Sequence, residues 1–145
     1  LLERAPIPLP SDALVIETGG MKTYRRAVPR DVLHERLLQG YGLERRQLWS
    51  EYGMCEMLSQ CYAPSGGLFV TPPWVEARVV DPERPDREMP DGEAGALAIT
   101  DLANVHSCSF LLTQDRAVRR RDGFEVLGRL SGAELRGCNH LLERA

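Results

Sequence analysis

Residues 52–56 (Tyr-Gly-Met-Cys-Glu) combine side chains that can bind a nucleotide. A predicted strand ends at Tyr52, Gly53 breaks it, and the apolar spacing over 54–62 predicts an amphipathic helix. A helix N-terminus presents free N–H groups to phosphate, and Gly53 lets a ligand approach the backbone closely. Tyr52 offers a flat face to a purine, and Glu56 in the first turn offers a carboxylate to Mg²⁺. A carboxylate in a first turn also stabilises the helix dipole without any ligand.

Three further segments carry candidate ligand-binding residues. Asp115, in the Thr-Gln-Asp run 113–115 at a predicted strand end, can accept hydrogen bonds from both hydroxyls of a ribose, but aspartate is also an ordinary turn residue. Arg129 follows a glycine, so that it can reach a phosphate or a ribose, or simply lie on the surface. Gly19 and Gly20 follow an apolar strand and can expose backbone to a base.

The elements that must position these residues predict an α/β fold in two portions. Residues 1–12 have regularly spaced prolines and predict a linker. Residues 13–63 predict an α/β strand-helix portion that holds the nucleotide-binding candidates. Residues 64–130 predict a small, mostly antiparallel β subdomain, and residues 131–145 are left as a C-terminal tail.

Individual elements follow from apolar spacing and from turn residues. Residues 13–16 predict a buried strand, and residues 29–41 predict a helix that Gly42 ends. The β portion predicts strands at 74–80, around Leu97 and Ile99, at 110–112, and in a hairpin of 117–121 with 124–127 around Asp122-Gly123.

Composition excludes several classes of function. The net charge of -3 gives no electrostatic reason to bind nucleic acid. No apolar run approaches the length of a membrane span. The cysteines form no Cys-x-x-Cys pair and are sparse, which argues against zinc and against a disulfide framework. We therefore expect reduced cytoplasmic thiols, mostly buried as small hydrophobes; they are Cys55, Cys61, Cys108 and Cys138.

The order of the motifs resembles the adenylate-forming superfamily, whose usual signatures are YGxTE, TGD and GRxD. This chain has YGMCE at 52–56, TQD at 113–115 and GRLS at 128–131. Within the superfamily it is similar to the acyl-protein synthetases of the bacterial luminescence type, which are relatives of phenylacetate–CoA ligase. ETGGMK at 17–22, DLAN at 101–104 and RGC at 136–138 carry that likeness. The resemblance covers nearly the whole chain and implies a partial adenylate-forming fold that uses ATP and Mg²⁺.

The resemblance also implies roles for single residues. Tyr52 would pack on adenine, beside Gly53 and Met54, and Gly19 and Gly20 would line the base pocket. Position 55 would contact the α-phosphate, and Glu56 would bind Mg²⁺. Asp115 would hold the ribose, with Arg129 close to ribose and phosphate.

Three positions depart from the family signatures. Cys55 stands where threonine is usual, and a thiol is a weaker hydrogen-bond donor to phosphate than a hydroxyl. Gln114 replaces the middle glycine of TGD, and Ser131 replaces the aspartate of GRxD. Neither a Ser/Thr/Gly-rich phosphate loop nor the superfamily's C-terminal lysine domain is found in the 145 residues. We therefore expect the C-terminal part of such an enzyme, inactive in adenylation by itself.

The function that the resemblance implies is ATP-dependent activation of a carboxylic acid, in particular a fatty acid, to acyl-AMP with transfer to a thiol. Cys138 falls where the luminescence enzymes carry the cysteine that accepts the acyl group, so we count it with Glu56 as catalytic. The implied partners are the acid and an acyl-transferring or reductase protein. Two alternatives stay open: a phenylacetate-type acyl-CoA ligase, in which CoA accepts the acyl group, and a non-catalytic nucleotide-binding domain.

Overall fold

A computed structural model of the chain describes residues 6–19 and 28–133. Two sheets make up the fold. The first has three strands in the order β1-β2-β3, and the second has four strands in the order β4-β5-β6-β7. The strands are β1 (Val15–Glu17), β2 (Leu48–Tyr52), β3 (Cys61–Pro64), β4 (Val75–Val80), β5 (Ala94–Asp101), β6 (Phe110–Arg120) and β7 (Gly123–Arg129). The α/β class, with one mixed sheet and one antiparallel sheet, confirms the predicted fold class.

Helix α1 (Arg30–Tyr41) confirms the predicted helix and its end. Gly42 has φ of 64°, a left-handed conformation that suits glycine, and its N–H bonds back to the Leu38 carbonyl. His34 is the buried residue of this helix, at 3% exposure. The apolar residues whose spacing predicts the helix are only half-buried; they are Leu33, Leu37, Leu38 and Tyr41. No helix in the described part of the chain is long and apolar enough to cross a membrane.

The three-stranded sheet joins parallel and antiparallel pairing. β1 runs parallel to β2, with Val15 opposite Leu48, and β3 returns antiparallel to β2, with Cys61 opposite Tyr52. The expectation that 13–16 is a buried strand is wrong in part, because Ile16 is 44% exposed. The strand is present, but one of its faces is open in the described structure.

The predicted helix over 54–62 is wrong. Turns follow Gly53, and the chain re-enters the sheet as β3 at Cys61. Met57 and Cys61 are buried as the helical pattern required, but Leu58 is 61% exposed. The Asp101 carboxylate takes up the N–H groups of Leu58 and Ser59, so a side chain from a distant strand satisfies donors that a helix would have paired.

The four-stranded antiparallel sheet confirms the strands predicted at 74–80 and around Leu97 and Ile99, and the hairpin at Asp122-Gly123. The strands predicted separately at 110–112 and 117–121 are one continuous strand, β6. The prediction that 113–115 lies at a strand end is wrong. These residues lie inside the long strand β6, where the pairing with β5 shifts register between Ala96 and Ala98. The Thr113 hydroxyl donates to the Leu97 carbonyl at 2.8 Å across this irregularity, so the strand continues.

One core cluster contains residues of both sheets, among them Cys61 and Ala63 of β3, Leu97 of β5 and Phe124 of β7. Phe69, from the connection between the sheets, stacks on Phe124 with ring centroids 5.5 Å apart. Phe124 is 2% exposed. This aromatic contact ties β7 to the connection between the sheets.

Replacing Phe124 with alanine should lower the free energy of unfolding by about 3–5 kcal/mol, because it removes a buried aromatic ring and leaves a cavity. Phe110→Ala is the matched control, since Phe110 is 72% exposed; its effect should stay within about 0.5 kcal/mol. Urea denaturation of the two variants measures the difference. Equal destabilisation of both would contradict this description of the core.

Candidate functional site

Three of the predicted nucleotide-binding residues come together on the structure, although they are distant in sequence. Asp115 of β6 and Arg129 of β7 are directly opposed in the strand pairing, which places both side chains on one face. The Arg129 Nη1 donates to Asp115 Oδ1 at 2.7 Å, and the Tyr52 hydroxyl donates to Asp115 Oδ2 at 2.8 Å. Tyr52 ends β2 and Arg129 ends β7, whereas Asp115 lies inside β6; after the two residues that end strands, we call Tyr52, Asp115 and Arg129 the strand-end cluster.

Gln114 joins this cluster through Arg129. Its Oε1 accepts a hydrogen bond from Arg129 Nη2 at 2.9 Å. The guanidinium therefore points one nitrogen to the carboxylate and the other to the amide, which fixes its plane. The glutamine that departs from the family signature thus has a structural role.

Tyr52 connects the strand-end cluster to the core. Its ring meets Phe69 edge-on at 5.9 Å and Phe124 at 5.7 Å. Burial, together with the charge of Asp115 and the hydrogen bond to it, raises the pKa of Tyr52 well above its usual value. The hydroxyl therefore stays protonated and remains a donor to Asp115 across the physiological pH range.

Asp115 retains capacity for a ligand. Its side chain is 13% exposed, and the two donors described above use one interaction on each oxygen. A carboxylate has about four acceptor positions, so a ribose diol could add hydrogen bonds without displacing either donor. The residues present therefore fit the sugar of a nucleotide.

Gly19 lies at the end of β1, away from the strand-end cluster in sequence, and its backbone is held by a local contact. Its N–H donates to Glu17 Oε2 at 2.7 Å, and its φ is 70°, in the left-handed region. Glu17 Oε1 lies 3.3 Å from His34 Nε2, and His34 also contacts the Ser50 hydroxyl. A buried polar network that the sequence did not indicate thus supports the first glycine of the pair. Gly20 lies outside the described residues.

The expected phosphate site at a helix N-terminus is not formed, because no helix follows Gly53. Met54 packs against the core, whereas Gly53, Cys55 and Glu56 are exposed. Asn104 holds the loop from inside, since its Nδ2 donates to the Glu56 carbonyl at 2.8 Å. The exposed residues of this loop contribute side chains, but no helix dipole, to any phosphate bound there.

The thiols differ from the expectation that most of them are buried. Cys61 is buried, and burial raises its pKa to about 11. Cys55 and Cys108 are exposed free thiols, so the expectation is wrong for these two. Cys138 lies outside the described residues.

Glu56 is the one protein ligand predicted for Mg²⁺. Among the residues that the structure describes, no three His, Cys, Asp or Glu side chains gather to hold a metal. Mg²⁺ in nucleotide sites is commonly bound by one or two carboxylates together with phosphate oxygens. The exposed Glu56 fits that arrangement, in which the nucleotide completes the coordination.

Several positioning residues carried little or no signal in the sequence. Asp101 and Asn104 appeared only as part of the family-like DLAN run, without a role. His34 and Arg30 lie on helix α1, which is predicted from the spacing of its apolar residues alone. Arg30 nevertheless donates to the Ser50 hydroxyl at 2.9 Å and lies over the Phe69 ring, 4.8 Å from its centroid. Long-range partners of this kind cannot be read from spacing along the chain.

Comparison with known proteins agrees with the resemblance. The sequence is 27% identical over 139 residues to the long-chain-fatty-acid–luciferin-component ligase of Vibrio harveyi, covering 88% of this chain and 36% of that enzyme. The ligase of the same name from Aliivibrio fischeri is 25% identical over 135 residues, covering 86% of this chain and 35% of that enzyme. The chain therefore spans roughly a third of the length of the curated relatives it matches. No family model matches the sequence.

Solved structures give the fold. ATP-bound MatB from Rhodopseudomonas palustris superposes with a TM-score of 0.53 at 24% identity, over 69% of this chain and 23% of that chain. A long-chain-fatty-acid–CoA ligase from Archaeoglobus fulgidus gives 0.58 at 18% identity, over 89% of this chain and 31% of that chain. The fold is that of part of an adenylate-forming ligase. The partial adenylate-forming fold expected from the sequence is thereby confirmed.

Tyr52→Phe should lower the free energy of unfolding by about 1.5–3 kcal/mol, because it removes one part-buried hydrogen bond to a charged carboxylate. The raised pKa of Tyr52 also predicts a pH effect. Unfolded tyrosine ionises near pH 10, so this contribution is fully present below about pH 10 and is lost as the pH rises further. Tyr52→Phe should flatten that alkaline fall in stability.

Denaturation at pH values from 8 to above 10 measures both effects, with Tyr62→Phe as the control. Tyr62 donates to Glu51 at an exposed site and is 39% exposed, so its hydroxyl should matter less. A Tyr62 variant that loses as much stability as the Tyr52 variant would contradict the role given to the strand-end cluster.

Proposed function

We propose that the strand-end cluster is the ribose-binding part of an ATP site in an AMP-forming acid–thiol ligase. The observation that carries the proposal is that Tyr52 of β2 and Arg129 of β7 both donate to the carboxylate of Asp115 on β6. A carboxylate held by a tyrosine hydroxyl and a guanidinium is fixed in position and still has acceptor capacity. That arrangement suits a vicinal diol.

The remaining nucleotide contacts are proposed from the resemblance to the adenylate-forming signatures. We assign adenine to the Tyr52 ring with Gly53 and Met54, and the base pocket to Gly19 and Gly20. We assign the α-phosphate to Cys55, whose exposed thiol is a weaker donor than the hydroxyl it replaces. Arg129 lies beside Asp115 and is placed to attract phosphate as well as to hold the carboxylate.

Glu56 is the residue that would hold Mg²⁺, which supplies neutralisation of phosphate charge when bound. The protein's part is to keep the Glu56 carboxylate exposed on a loop whose backbone is fixed. The Asn104 bond to the Glu56 carbonyl provides that fixation.

The reaction that this site supports is activation of a carboxylic acid. A carboxylate oxygen attacks the α-phosphorus of ATP, the bond from that phosphorus to the bridging oxygen breaks, and pyrophosphate leaves. The product is an acyl-adenylate. A thiolate then attacks the acyl carbon, AMP leaves with the electron pair of the cleaved carbon–oxygen bond, and a thioester remains. Alignment of the reactants and neutralisation of the phosphate charge accelerate the reaction.

A fatty acid is the proposed substrate, because both curated relatives are named for long-chain fatty acids and a luciferin component. We propose Cys138 as the acyl acceptor, with an acyl-transferring or reductase protein as the next partner. The exposed free thiols Cys55 and Cys108 support a reducing, cytoplasmic location.

Two observations are also compatible with the alternative functions, an acyl-CoA ligase and a non-catalytic nucleotide-binding domain. A CoA ligase is among the solved structures with this fold, so CoA could replace Cys138 as acceptor. Asp115 and Gln114 both hold Arg129 within the chain, an arrangement that a non-catalytic nucleotide-binding domain would also display. The two experiments below separate these possibilities.

The ribose assignment predicts a coupling between Asp115 and the sugar hydroxyls. The chain should bind ATP about tenfold or more tightly than 2′,3′-dideoxy-ATP, because hydrogen bonds to a charged group contribute about 1.5–3 kcal/mol each. In Asp115→Asn the preference should fall to about twofold or less. Calorimetric titration of both ligands on both proteins measures the coupling.

Asp122→Asn serves as the control, because Asp122 lies in the exposed turn between β6 and β7. Its ribose preference should match that of the unchanged chain. An unchanged preference in Asp115→Asn, with normal ATP affinity, would contradict the assignment.

The acceptor assignment predicts a covalent label. Incubation of the longest natural form of the protein with radiolabelled fatty acid, ATP and Mg²⁺ should give a protein-bound acyl group that neutral hydroxylamine releases, because thioesters are cleaved by that reagent. Cys138→Ser should abolish the label, and Cys108→Ser should keep it. A hydroxylamine-labile label that survives Cys138→Ser would exclude Cys138 and favour another thiol.

A further inference from the structure

The last residue of β5 and the turn that follows it contribute two polar side chains that are almost completely buried, and the proposed ligand contacts use neither of them. Asp101 is 0% exposed and Asn104 is 3% exposed. Both contact the loop 53–60, which connects Tyr52 at the end of β2 to β3 and contains Glu56. Buried polar groups are costly unless they are fully hydrogen-bonded, so their partners show what they hold.

Asp101 binds the second half of the loop. Its Oδ2 accepts the N–H groups of Leu58 and Ser59 at 3.0 Å and 2.8 Å, and its Oδ1 accepts the Ser59 hydroxyl and the Ala103 N–H. Burial alone would raise the pKa of Asp101, but these hydrogen bonds hold it below its ordinary value. The carboxylate is therefore ionised and fully engaged at neutral pH.

Asn104 binds the first half of the loop. Its Nδ2 donates to the Glu56 carbonyl at 2.8 Å and to the Cys108 carbonyl at 3.0 Å. The Ser109 hydroxyl donates to the Asn104 carbonyl at 3.1 Å, and the Asn104 N–H donates to the Asp101 carbonyl at 3.1 Å. The backbone of Asn104 is thus held on both sides, which positions the side-chain amide that binds the loop.

We infer that Asp101 and Asn104 are positioning residues that set the conformation of the loop 53–60 and thereby orient Glu56 toward the metal of a bound nucleotide. The inference rests on the proposed function, because it takes Glu56 as the ligand of Mg²⁺. A loop without regular hydrogen bonding would otherwise leave the backbone of Glu56 free to move. A carboxylate presented by a mobile backbone binds a metal less well than one that is pre-oriented by a supporting shell.

The test uses the 145-residue chain and two readouts. Hydrogen exchange followed by NMR measures the protection of the Leu58 and Ser59 amides, and calorimetry measures ATP affinity as a function of Mg²⁺ concentration. Asn104→Ala should lower the protection of both amides about tenfold or more. It should also raise the half-saturating Mg²⁺ concentration about tenfold, while ATP affinity without Mg²⁺ stays within about twofold.

Two variants serve as comparisons. Ser109→Ala removes only the hydrogen bond from the Ser109 hydroxyl to the Asn104 backbone carbonyl. This milder variant should fold even if Asn104→Ala does not. We expect it to change both readouts by about threefold, less than Asn104→Ala does. Trp74→Phe removes the hydrogen bond from the indole N–H to the Ser59 hydroxyl, which also binds Asp101, but it leaves the Asn104 bond to the Glu56 carbonyl in place. Its Mg²⁺ requirement should remain that of the unchanged chain.

The possible results distinguish failure of the positioning role from failure of the proposed function. Glu56→Gln should raise the Mg²⁺ requirement at least as much as Asn104→Ala. If Glu56→Gln does so and neither the Asn104 nor the Ser109 variant changes it, the positioning role is overturned and the proposed function stands. If the unchanged chain shows no Mg²⁺-dependent nucleotide binding, the proposed function and the positioning role are both overturned.

Discussion

The contact on which the rest of the structure depends is the packing of the Tyr52 ring against Phe69 and Phe124. Tyr52 ends β2 in the three-stranded sheet, Phe124 belongs to β7 in the four-stranded sheet, and Phe69 lies between them. The apolar ring belongs to the shared core, while its hydroxyl reaches the carboxylate of Asp115. One side chain therefore joins the two sheets and fixes the candidate site relative to both.

Much of the fold could be predicted from the sequence, because its signals are local. Helix α1 was marked by apolar spacing and Gly42, the hairpin by Asp122-Gly123, and β4 by alternation of apolar residues. The helix predicted over 54–62 failed because its spacing is matched equally well by a loop that buries Met57 and Cys61. What decides between them is Asp101, a residue more than forty positions away, whose carboxylate binds the loop.

The candidate site could be predicted only in part for the same reason. Asp115 and Arg129 were named from their motifs, but their direct pairing depends on the register of β6 and β7. The part played by Gln114 in holding Arg129 could not be foreseen, because the glutamine stands where the family signature has glycine. The division of the chain at residues 12, 63 and 130 stays a prediction, as do the roles of Gly20 and Cys138, which lie outside the described residues.

We propose that the strand-end cluster binds an adenine nucleotide. The most direct test is an NMR titration of the ¹⁵N-labelled chain with AMP, which reports the position of the ligand without requiring catalysis. Nucleotide binding at this cluster predicts saturable shifts of the Tyr52, Asp115 and Arg129 resonances. Much smaller shifts are expected on the Arg119–Asp122 hairpin, where Arg119 is already paired with Asp91 and Glu88 and Arg120 and Arg121 are exposed. Shifts confined to that hairpin, or none at all, would contradict this proposal.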